Sequence, residues 1–180
     1  MVSALSATGA LILMENAKSI QLVLESEFKN LPLVGSVVRS LCSEIPLNET
    51  ARYQIELSVV EAVTNVIKHA YGSRPGHRIY IEVSLHSDWV RFRITDTGRS
   101  ISPVIVENLN CRNFKPAQEG GTGALLKGGD DEALAEAGRG LKIIDCCMDE
   151  VTYSSSGGEN TLTITRYFNI EGTGNQIRSP

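Results

Sequence analysis

Glu61-Ala-Val-Thr-Asn65-Val-Ile-Lys68-His69-Ala-Tyr71 sets a carboxylate, an amide, an ammonium and an imidazole into an otherwise apolar run. At about 100° per residue, a helix gathers Ser58, Glu61, Asn65, Lys68 and His69 on roughly one third of its circumference. Val59, Val63, Val66, Ile67 and Ala70 point the other way. The spacing predicts a long helix with one face for a core and the other for chemistry.

A carboxylate one turn before an amide suits a divalent cation bound to phosphates. Mg²⁺ takes oxygen ligands and keeps several waters, so one side-chain carbonyl plus phosphate oxygens suffices. Asn65 offers that oxygen, Glu61 can accept a proton from a hydroxyl or water nucleophile, and Lys68 can set a point charge against phosphate. A solvated surface stripe is the ordinary fate of such a face, so other residues decide. Two further pieces do. In Ile94-Thr-Asp96-Thr-Gly98-Arg-Ser-Ile101 a strand ends in an acid that can accept from an amino group such as that of adenine. Gly98 would let a flat ring approach the backbone. In Ala137-Gly138-Arg139-Gly140-Leu141-Lys142-Ile143-Ile144 two glycines open an apolar helix, whose free N–H groups would form an anion site.

In this order the three pieces resemble the histidine-kinase-like (GHKL) ATPase superfamily and, more narrowly, the bacterial anti-sigma factor serine/threonine kinases. Glu61 to Tyr71 match the helix motif E-x-x-x-N-x-x-K-H-A-[YF]. Asp96 and Gly98 match the adenine motif D-x-G, and Gly138 to Ile144 match G-x-G-[LM]-x-x-I. Met148-Asp149-Glu150-Val151 resembles the usual continuation. Ser100 stands where many superfamily members have a second glycine. The resemblance implies a Bergerat-type ATP-binding fold over residues 18–168, with ATP and Mg²⁺ as cofactors. It implies Glu61 as general base, Asn65 as Mg²⁺ ligand, and Asp96 with Gly98 as the adenine reader. Gly138, Arg139, Gly140 and Leu141 would cradle phosphate, with Lys68 and Arg139 offsetting charge. His69 would orient the site or pack, and Thr161 would help hold the base, often through water. The implied activity is phosphorylation of an anti-anti-sigma protein on serine or threonine, with a sigma factor as binding partner and a homodimer as the assembly. A nucleotide-gated binding module without transfer, or a switch kinase acting on a partner phosphatase, would share the same motifs.

The chain has 180 residues, 17 Lys plus Arg, 21 Asp plus Glu and a net charge of −4. This size builds one domain with a real core. No basic run forms a stripe, so direct nucleic-acid binding is disfavoured. Cys42, Cys111, Cys146 and Cys147 form no C-x-x-C pair, and buried thiols in a reduced cytoplasm fit best. Ala10 to Met14 is too short to span a bilayer, and no Lys or Arg precedes Lys18. Residues 1–17 are expected to be a loose extension or an added edge strand.

Alternation predicts strands at Ser19–Ser26, Arg78–His86, Trp89–Thr95, Glu150–Ser156 and Thr161–Phe168, the last two joined across Gly157-Gly158. An amphipathic helix is predicted at Leu33–Ile45. Asn48 is the expected N-cap of the long helix, which ends at Gly72 to Gly76. Residues 109–137 read as a glycine-rich lid over the triphosphate, with a short helical piece near its end. Gly120-Gly-Thr-Gly-Ala-Leu-Leu-Lys127-Gly is not a P-loop, because no G-K-[ST] ends it. A polar tail follows from Asn169. The expected architecture is an α/β two-layer sandwich, a mixed and mainly antiparallel sheet with helices on one face.

Overall fold

The computed structural model describes residues 18–102 and 131–168. The expected N-terminal extension, most of the lid, Cys111 and the tail lie outside the described residues.

Among the described residues five strands form one sheet: β1 (Lys18–Glu25), β2 (Arg78–Leu85), β3 (Trp89–Asp96), β4 (Glu150–Ser156) and β5 (Glu159–Tyr167), in the order β1-β2-β3-β5-β4. Every pairing among these strands is antiparallel, so no parallel pair enters the expected mixed sheet. Strict alternation sets the register. Ile79, Ile81 and Val83 of β2, Val90, Phe92 and Ile94 of β3, and Leu162 and Ile164 of β5 are buried on one face. Burying side chains of this size contributes about 1.5–3 kcal/mol each, enough to hold sheet and helices together. The turn between β4 and β5 needs two positive φ angles, 63° at Gly157 and 83° at Gly158, which glycine adopts without strain.

The helices are α1 (Leu31–Ser43), α2 (Glu49–Asn65) and α3 (Asp131–Cys147). Asn48 caps α2 as expected, its side-chain oxygen accepting from the Ala51 N–H at 2.8 Å. Val59 and Val63 of α2 are fully buried. Arg39 of α1 pairs with Glu56 of α2, Nε donating to Oε2 at 2.8 Å. After Asn65 the helix widens into a π-turn, Val66–Ala70, where the Tyr71 N–H reaches back to the Val66 carbonyl at 3.0 Å. No helix among the described residues is long and apolar enough to cross a membrane.

Two expectations change. The helix carrying Gly140 does not start there: α3 runs unbroken from Asp131, with Gly138 and Gly140 in its interior. The turns before the glycines carry Ala, Leu and Glu, good helix formers, and these outweigh the glycine penalty of about 1 kcal/mol each. The polar face of α2 is not free either, because α3 packs against it. Ser58 is fully buried, and its hydroxyl turns back to the Gln54 carbonyl at 2.8 Å.

Candidate functional site

α2 and α3 meet along their small and polar residues. A methyl group on Gly140 would lie 3.0 Å from both amide atoms of Asn65 and 3.1 Å from Glu61 Oε2. Only glycine lets the two helices approach so closely. Near the other end of α3, the Cys147 thiol is pushed up by burial and drawn back by the Ser58 hydroxyl. With Gly140 beside Glu61 and Asn65, and Cys147 beside Ser58, the two helices run antiparallel. Asn65 Nδ2 is buried and has no hydrogen-bond partner among the described residues. The orphaned NH₂ suits an acceptor such as a phosphate oxygen, and the carbonyl oxygen of the same amide is the atom that would hold a phosphate-bound Mg²⁺ beside Glu61.

Lys68 and His69 lie half-buried in the π-turn, where the extra residue per turn removes them from the regular 100° spacing assumed for α2. Arg139 is exposed and Leu141 is buried in the hydrophobic core. In an unbroken α3 the N–H groups from Gly138 to Leu141 belong to the helix ladder, so the expected open helix start is absent from this conformation. Cys146, expected in the interior, is exposed; Cys42 is the buried thiol, and burial pushes it up to about 11.

The adenine-type loop is closely pinned. Asp96 ends β3 and is 5% exposed. Its Oδ1 accepts from the Gly98 N–H at 2.8 Å and from Asn160 Nδ2 at 3.0 Å. Burial raises its pKa above the ordinary aspartate value, with the Asn160 and Gly98 bonds pulling the other way. Asn160 Nδ2 also donates to the Gly98 carbonyl at 3.0 Å. The Thr97 N–H bonds to the Tyr71 hydroxyl at 3.0 Å, and that hydroxyl donates to the Arg78 carbonyl at 2.7 Å. The Arg99 N–H bonds to the Ala70 carbonyl at 2.9 Å, and the Ile101 N–H to the Tyr153 hydroxyl at 3.0 Å. Gly98 is glycine for a packing reason: a Cβ there would sit 2.6 Å from the Ala70 carbonyl oxygen. The space that sequence reasoning reserved for a flat ring is taken, on that side, by the π-turn.

Thr161 does not share this pocket. Asp96 pairs in register with Asn160, and Thr95 with Thr161. Successive side chains of a strand point to opposite faces, so Thr161 stands on the face away from Asp96, its hydroxyl 3.0 Å from that of Thr95. The residue that faces Asp96 is Asn160, which motif matching passed over. A signal existed: an amide holding an inward position in the alternation Asn160, Leu162, Ile164.

The fold is a two-layer sandwich with an acid–amide helix against an antiparallel sheet and a buried acid closing one strand, and the family match gives its class, a histidine kinase-like ATPase domain. The model of the histidine kinase-like ATPase domain matches residues 24–166, and the chain belongs to this family. Among its relatives, the serine-protein kinase RsbW of Listeria innocua is 26% identical over 156 residues, 87% of this chain and 90% of that protein. The anti-sigma F factor of Oceanobacillus iheyensis is 28% identical over 148 residues, 82% of this chain and 89% of that protein. The crystal structure of the RsbU and RsbW domains of Rv1364c from Mycobacterium tuberculosis aligns with a TM-score of 0.52 at 17% identity. It covers 83% of this chain and 32% of that longer one, a likeness of fold.

Proposed function

We propose that this chain is an ATP-dependent protein serine/threonine kinase that also binds a sigma factor and phosphorylates an anti-anti-sigma protein. The observation that carries the reading is the meeting of Glu61, Asn65 and Gly140 at one contact, one helix end away from the pinned Asp96 loop. The names of its relatives, a serine-protein kinase and an anti-sigma factor, supply the substrate and partner classes.

Both bonds described at the Asp96 carboxylate use Oδ1, which leaves Oδ2 to accept from the exocyclic amine of adenine. Asn65 would hold Mg²⁺ through its side-chain oxygen, and the cation when bound would supply positive charge against the phosphates. Glu61 takes the proton of the acceptor hydroxyl as its oxygen bonds to the γ-phosphorus and the bond to ADP breaks. Lys68 and Arg139 offset charge at the transferring group, and His69 orients or packs the π-turn. The N–H groups from Gly138 to Leu141 can receive phosphate only when α3 begins at Gly138 rather than Asp131. Sigma factor and acceptor would approach as proteins, with no nucleic acid or membrane contact, on a cytoplasmic homodimer.

The test pairs wild type with Glu61→Gln, γ-labelled ATP, Mg²⁺ and lysate lacking this protein. A small protein labelled by wild type alone, on an acid-stable and alkali-labile residue, is the expected result. One observation favours a second reading, a nucleotide-gated binding module: α3 packs Gly140 against Glu61 and Asn65, so moving it would change the surface. Intact nucleotide binding, no phosphoprotein and equal capture of sigma factor by both proteins would select that reading.

A further inference from the structure

We infer that Asn160 is the positioning residue of the adenine end, holding the Asp96 carboxylate in the one orientation that reads an exocyclic amine. The inference rests on the reading of Asp96 as the adenine acceptor, and the test below separates the two.

The chemistry of the contact fixes the amide's orientation. A carboxylate and a backbone carbonyl only accept hydrogen bonds, so the group 3.0 Å from both Asp96 Oδ1 and the Gly98 oxygen must be the NH₂ of Asn160. Its two N–H bonds serve one acceptor each. Asn160 is 3% exposed and sits directly across the β3–β5 ladder from Asp96, so the sheet itself carries it to this spot. With Gly98 N–H and Asn160 both on Oδ1, the carboxylate cannot rotate without breaking two bonds, and Oδ2 keeps its direction. The same amide holds the Gly98 carbonyl and couples the loop to the acid. A serine hydroxyl has one proton and could serve one of these acceptors, not both. The neighbouring Thr161 is on the wrong face to substitute.

The readout is discrimination rather than affinity alone. Dissociation constants for Mg·ATP and for Mg·purine riboside triphosphate, which lacks the 6-amino group, are measured by titration calorimetry for wild type, Asn160→Ala and Asn160→Ser. Thermal melts accompany each protein. A hydrogen bond to a charged group is worth about 1.5–3 kcal/mol, so wild type should prefer ATP by roughly ten- to hundredfold. The preference should fall to about threefold or less in Asn160→Ala and to an intermediate ratio in Asn160→Ser. If both variants bind both nucleotides more weakly but keep the wild-type ratio, Asn160 merely supports the fold and the inference is overturned. If wild type itself binds the two nucleotides equally, Asp96 is not the adenine acceptor and the underlying reading fails first. Should Asn160→Ala melt before binding can be measured, the ratio in Asn160→Ser decides.

Discussion

The two ends of the candidate site are built by opposite means. At the adenine end the sheet does the work: a cross-strand amide, two tyrosine hydroxyls and a backbone carbonyl hold the loop from Thr97 to Ile101. At the phosphate end two helices do it, by a glycine contact at Gly140 and a helix with a second glycine at Gly138 in its interior. One end is fixed by hydrogen bonds; the other rests on a helix contact made at a glycine. Under the proposed function, such a pairing would let the base bind to preset geometry while the triphosphate selects a different start for α3.

Four outcomes would break or sharpen that contrast. The largest concerns the phosphate end: Glu61→Gln should keep nucleotide binding and lose about 10²–10⁴-fold in phosphate transfer, the usual worth of a general base. Single-turnover transfer to the labelled acceptor measures it, and wild-type rates would remove Glu61 from the mechanism.

Next is Gly98→Ala at the adenine end. Its methyl would meet backbone at 2.6 Å, which no rotamer relieves. Overpacking of this kind costs about 1–3 kcal/mol, so the urea midpoint should fall clearly. An unchanged midpoint would mean the loop is looser than its bonds imply.

The third concerns pH. In this reading Asp96 accepts from the amine as a carboxylate, and its folded pKa is raised by burial. Nucleotide affinity should therefore fall, as pH drops, at a higher pH than an ordinary aspartate would cause. The sign for stability is opposite. A raised folded value means that the contribution of Asp96 to stability is fully present below its unfolded value and is lost as pH rises through the folded one. Binding should thus fade while Asp96 itself adds no acid destabilisation, and parallel affinity and melting curves between neutral pH and about pH 4 distinguish the two.

The smallest effect is the most telling for the comparison. A methyl on Gly138 meets nothing within 4 Å, so Gly138→Ala fits the folded helix. It should stabilise α3 by about 0.8–1 kcal/mol and weaken Mg·ATP binding by roughly four- to fivefold, if the helix must shorten for phosphate. Circular dichroism should show helix lost on nucleotide addition to wild type. Tighter binding in the variant would mean that α3 opens no further.

The sequence reading succeeded where the signal is local. Alternation located β2, β3 and β4 to within a residue or so, Asn48 announced its cap, and Gly157-Gly158 their turn. It failed where a distant partner decides. Periodicity ranks the faces of α2 but cannot show that α3 covers the polar one, so Ser58 looked accessible and is fully buried. Asn160 faces Asp96 through a register linking residues 64 apart, while the motif drew attention to Thr161, one step out of phase. Gly98 was explained by a ligand when its neighbour is Ala70, a contact made by the π-turn that no helical wheel anticipates.

That π-turn has a metrical consequence. The Ala70 carbonyl at its end accepts from Arg99 and Tyr71 stands against Thr97, so the stretch of chain between Asp96 and Asn65 is spanned by main-chain bonds and one phenol. Under the proposed function, the span from Asp96 to Asn65 would be the length a bound nucleotide has to match. It is gauged by backbone, and substitutions along the site can change what each end grips without recalibrating the ruler between them.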